Sequence, residues 1–124
     1  MYALAFISEN NKIGIDIELC KNFEKVNGAV DEFFVSDVYT NLNMLSEGLR
    51  WTMHEAIGKL EKIGIFRELP ILDVRVCNEI ENNFRYFCAL NVRYKNMKYM
   101  DIKEVYCLGL QTKDVCVMLA IEKL

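Results

Sequence analysis

The chain has 124 residues, 52% of them hydrophobic and 27% charged, and a formal net charge of -3. That length suits one domain with a modest core, the composition excludes wholesale disorder, and the charge excludes nucleic-acid binding through a broadly basic surface. No apolar run approaches the ~20 residues needed to cross a bilayer, and the first twelve residues lack the basic start of a signal peptide.

Residues 2–7 (YALAFI) and 13–18 (IGIDIE) read as two strands. They are joined by SENNK, whose Asn10-Asn11 pair tolerates the positive φ of a tight turn, so an N-terminal β-hairpin is expected. In the second strand, Ile13, Ile15 and Ile17 fall on one face, and Gly14, Asp16 and Glu18 on the other. Two like charges on one side of a half-buried strand repel each other and resist desolvation. That face must therefore meet water or carry something cationic.

From residue 22 to 63 the pattern is helical, in two or three pieces with breaks at Gly28 and in the polar LSEG around Ser46 to Gly48. Pro70, the only proline, lies in the connection that closes this block. Strand-like runs follow at 72–77, 84–94, 98–110 and 115–121, with polar turns NEIENN and QTKD between some of them. A hairpin, then helices, then antiparallel strands predict a single α+β domain over residues 1–124.

Five cysteines, Cys20, Cys77, Cys88, Cys107 and Cys116, are scattered without a CxxC, and the single histidine cannot complete a Cys/His zinc set. They read as reduced core or surface thiols, and a reducing cytoplasm is the expected compartment.

Within WTMHEAIGK, Trp51, Glu55 and Lys59 recur at i, i+4 and i+8, so they share one helix face. Alone, this would be a core tryptophan beside a surface Glu–Lys pair. Beside IGIDIE it assembles three carboxylates, Asp16, Glu18 and Glu55, with one lysine. Magnesium takes hard oxygen ligands and leaves positions for water and substrate phosphates, and a nearby lysine neutralises phosphate charge.

IGIDIE, FFVSDVYTNL at 33–42 and WTMHEAIGKLEKIGI at 51–65 resemble, in order and spacing, the 4′-phosphopantetheinyl transferases. The resemblance implies that family's fold and reaction: transfer of 4′-phosphopantetheine from coenzyme A to a serine of an apo carrier protein, releasing 3′,5′-ADP. Asp16, Glu18 and Glu55 would then coordinate Mg2+, and Glu55, directly or through a metal-bound water, would accept the serine proton. Lys59, with Lys62 and Gly64 of the following loop, would contact the coenzyme's phosphates. His54 stands where the family carries lysine and would act as an auxiliary cation.

The length is that of the holo-acyl-carrier-protein synthase type, which forms homotrimers with sites between protomers. The wording of the motifs is nearer the second half of the double-length, surfactin-synthetase-activating type. One copy would thus hold half a pocket, and a homo-oligomer is implied, a trimer before a dimer. The chain departs from the family at Val38, His54 and Lys62. Those departures carry the alternative, a non-catalytic relative serving as a binding or partner subunit.

Overall fold

In a computed structural model of the protein, residues 12–23, 45–63 and 69–123 are described. The expected strand at 2–7, the helical pieces before residue 45, and Gly28, Val38 and Gly64 lie outside them. Strand β1 (Ile13–Leu19) runs into a one-turn 3-10 helix (Cys20–Phe23), and helix α1 spans Glu47–Glu61. Strands β2 (Ile71–Asn82), β3 (Arg85–Asn96), β4 (Asp101–Gln111) and β5 (Val115–Glu122) follow. They form one antiparallel sheet in the order β1-β5-β4-β3-β2, so an α+β architecture is present.

Helix α1 begins where its chemistry says it should. Ser46 caps it, its Oγ accepting from the Leu49 N–H at 3.2 Å, and Glu47 sits in the positive first turn. The expected break at LSEG is therefore this cap. Gly48, read as part of the break, is instead inside the helix, and a Cβ there would come within 2.6 Å of Cys116 Sγ. At the other end Lys62 takes the left-handed conformation (φ 58°) that glycine usually supplies, and the Ile63 N–H bonds back to the Gly58 carbonyl at 2.8 Å.

The helix lies across β1 and β5 and touches β4. Leu49, Met53, Ala56, Ile57 and Leu60 recur on its inner face and are buried against Leu90, Val92, Cys107, Met118 and Ala120 of the sheet. Cys88, Cys107 and Cys116 are buried in this layer, and all five cysteines are free thiols. No helix among the described residues is long and apolar enough to cross a membrane.

The end of β2 differs from the sequence reading. NEIENN is not a turn, since β2 continues to Asn82 and only Asn83 and Phe84 make the turn, with Asn83 at φ 53°. The reason is a register shift between Val76 and Asn78, which places Cys77 out of step and breaks the apolar alternation that had marked the strand. Beyond it, β2 is exposed on both sides.

Strand β1 also faces the opposite way from the simplest expectation. Gly14 and Asp16, not the isoleucines, are its buried positions. A Cβ at Gly14 would sit 2.0 Å from the Ala56 carbonyl oxygen and 2.6 Å from the Leu60 nitrogen, so the helix backbone rests directly on this residue. Gly14, Asp16 and Glu18 pair with Ala120, Met118 and Cys116 and share the helix-facing side with them.

Candidate functional site

Because α1 runs antiparallel to β1, the Trp51–Glu55–Lys59 stripe of the helix lies along the Glu18–Asp16 stripe of the strand. Lys59 Nζ reaches Asp16 Oδ1 at 2.8 Å. Here is the cation the strand pattern called for. The pair is asymmetric: the lysine side chain is 53% exposed and the aspartate side chain only 7%. Its other oxygen, Oδ2, is buried with no hydrogen-bond partner. A carboxylate oxygen in that state is costly, and it leaves an unmet electrostatic demand in this corner of the fold.

Glu18 and Glu55 flank it, both half-buried. Burial and the charge of Asp16 push the Glu18 carboxyl above the usual carboxylate value, opposed by hydrogen bonds from Trp51 and Asn22 and by Lys59. Burial and Asp16 likewise raise Glu55, with Lys59 opposing and Glu18 adding. One lysine does not neutralise three carboxylates, so the cluster is short of positive charge. Trp51, legible only as a core aromatic, thus also positions Glu18. Its ring packs at 6.4 Å from Phe23 in a tilted geometry. Asn22 was missed altogether, because nothing in a linear pattern brings the turn after β1 back onto Glu18.

The same residues bear on the magnesium expectation. Among the described residues, no three His, Cys, Asp or Glu side chains are grouped tightly enough to form a metal site. The three carboxylates share a field without a finished coordination shell. The donor set nevertheless fits a hard divalent cation: all oxygen, net negative, with an orphaned buried oxygen at its centre.

His54 and Lys62 stand apart from this cluster. His54 is 1% exposed, not a surface residue, and its Nε2 lies 2.9 Å from the Leu69 carbonyl, tying the helix to the segment before β2. That burial and tie favour a structural role for His54 over the expected one of auxiliary cation. Lys62 is exposed beyond the last helical turn.

A second polar cluster had no signal in the sequence. Glu61, at the end of α1, accepts from Tyr94 Oη, from Asn96 Nδ2 at 3.0 Å and from Lys103 Nζ at 3.2 Å to each oxygen. Burial pushes its carboxyl up, but these hydrogen bonds and the Lys103 charge outweigh that and hold it below the usual value. Its demands are met, so it fastens the helix end to the sheet.

No family model matches the chain, and no curated protein or solved structure matches it.

Proposed function

We propose that the protein is a magnesium-dependent 4′-phosphopantetheinyl transferase acting on an apo carrier protein. The observation that carries this reading is Asp16: buried, bound by Lys59 on one oxygen, unpartnered on the other, and flanked by two carboxylates whose charges it opposes. Asp16, Glu18 and Glu55 would hold the ion. Bound there, magnesium would supply charge neutralisation on the diphosphate of coenzyme A.

The chain's own residues have distinct tasks in this reading. Glu18, fixed by Trp51 and Asn22, is oriented before any ligand arrives. Lys59 is mostly in solvent and can exchange Asp16 for a phosphate oxygen. Glu55 holds a proton more readily than an ordinary carboxylate, which suits it to take the proton of the attacking serine. The serine oxygen bonds to the β-phosphorus, the phosphoanhydride bond breaks, and 3′,5′-ADP leaves with the electron pair. The residues that recognise the adenine and 3′-phosphate belong to a second copy, so the working form is a homo-oligomer, a trimer before a dimer, in a reducing cytoplasm.

Incubating the protein with coenzyme A, magnesium and an apo carrier protein, then weighing the carrier, tests this directly. The carrier is expected to gain one phosphopantetheine. Retained coenzyme A or carrier binding with no mass gain would establish the non-catalytic partner instead.

A further inference from the structure

Where β1 ends, two thiols meet. Cys20 Sγ lies 3.7 Å from Cys116 Sγ, and 3.6 Å from the Thr112 carbonyl. The two residues are 96 apart in sequence and come from the first turn after β1 and from β5. We propose that Cys20 and Cys116 are a reversible dithiol–disulfide site, oxidised by peroxide or by a small disulfide, that staples the end of β1 to β5.

Position makes the pair asymmetric in access. Cys116 is 1% exposed beneath the helix, whereas Cys20 is half-buried at the rim, so oxidant meets Cys20 first. A disulfide needs the sulfurs at about 2.05 Å, a closure that the observed spacing leaves within side-chain rotation plus a small backbone adjustment. That adjustment is available on one side only. Cys20 has left the strand ladder and is held by its N–H to the Asp114 carbonyl at 2.8 Å, while Cys116 is paired on both sides, with Glu18 of β1 and Gln111 of β4, near the start of β5.

The chemistry balances with hydrogen peroxide as the two-electron oxidant. Cys20 sulfur attacks a peroxide oxygen, the O–O bond breaks, and the hydroxide released takes the thiol proton as water. Cys116 sulfur then attacks the sulfenic sulfur, the S–O bond breaks, and a second water leaves with the remaining proton. A glutathione-type disulfide would reach the same product by two exchanges, releasing two small thiols.

The staple acts next to the carboxylate cluster whatever that cluster binds. Cys116 is the strand partner of Glu18, and the turn that Cys20 opens carries Asn22, which bonds Glu18, and Phe23, which packs on Trp51. Drawing Cys20 inward shifts that turn and with it the surroundings of Trp51, the only tryptophan.

The test treats the intact, folded protein with sub-millimolar hydrogen peroxide and follows mass, peptide map and tryptophan emission. Expected are a loss of two hydrogens, a single Cys20–Cys116 cross-linked peptide, a shift in Trp51 emission and a rise in Tm, all reversed by dithiothreitol. Cys20→Ser is expected to show neither the cross-link nor the emission shift. Over-oxidation of Cys20 with Cys116 untouched, a disulfide involving Cys77, Cys88 or Cys107, or an unchanged mass would each overturn the proposal. An emission shift that persists in Cys20→Ser would overturn the link to the turn. None of these readouts depends on transferase activity.

Discussion

Asp16 has one oxygen on Lys59 and nothing on the other, so Asp16→Asn removes charge exactly where a cation would settle while keeping the shape. Binding of Mn2+, measured by calorimetry or electron paramagnetic resonance, is expected to weaken at least tenfold, about 1.4 kcal/mol or more. Unchanged binding would remove the cluster from consideration as a cation site. The two flanking glutamates make a pH prediction. Their folded pKa values lie above the ordinary 4.5, so the folded chain binds protons more readily than the unfolded one, and their penalty is present at neutral pH and relieved as pH falls. Glu55→Gln is therefore expected to raise Tm at neutral pH in the absence of divalent ions, and the gain should vanish below about pH 4.5. A gain that persists into acid would place its cause elsewhere. His54 belongs to the core, so His54→Ala should cost about 2–4 kcal/mol in denaturant unfolding through a lost buried hydrogen bond and a cavity. Any transfer activity should fall only in proportion to the folded fraction. A larger loss in fully folded His54→Ala would restore a role for it in the reaction.

The contact between α1 and β1 is what sets the two carboxyl stripes side by side, and it turns on Gly14. With no Cβ, the strand lets the Ala56 and Leu60 backbone approach until Lys59 and Asp16 meet. Gly14→Ala has no flexible side chain to push aside, since both close atoms are backbone. It should cost about 3 kcal/mol. Where the protein still folds, the helix should be displaced enough to part Lys59 from Asp16. Near-wild-type stability in denaturant would mean that the helix does not sit so close. The same C-terminal end of α1, beside the Gly14 contact, is also held by Glu61 with Tyr94, Asn96 and Lys103.

Viewed entire, the described fold is one helix on one face of a five-stranded sheet, and the other face carries a broad apolar concavity of about 600 Å³ framed by Ile80, Phe87, Leu108, Leu110, Val117 and Leu119. Ile80, Phe87 and Leu108 are exposed. Apolar surface gathered in this way usually marks a contact region, and closed symmetric assemblies are the common outcome for soluble chains. Sedimentation at micromolar concentration is accordingly expected to give a homo-oligomer, and Leu108→Asp should dissociate it while leaving the helix-side core intact. A wild-type monomer, with or without coenzyme A, would count against a pocket shared between copies.

Much of this was written in the linear pattern. Period-two alternation marked β1 and β3 to β5, the polar LSEG break fell where α1 starts, and the 3.6 period put Trp51, Glu55 and Lys59 on one face. These are local properties, fixed by backbone sterics and side-chain spacing. The same locality explains the failures. Alternation says that the two faces of β1 differ but not which one the helix covers, and here close approach over Gly14 drew the helix onto the side bearing Asp16 and Glu18. A one-residue register shift at Cys77 hid half of β2. The burial of His54, the three-residue hold on Glu61 and the meeting of Cys20 with Cys116 all join residues 15 to 96 positions apart, and no spacing rule reaches so far. Long-range contacts are settled when the helix docks, because only then do packing and desolvation choose among partners that the sequence leaves equal.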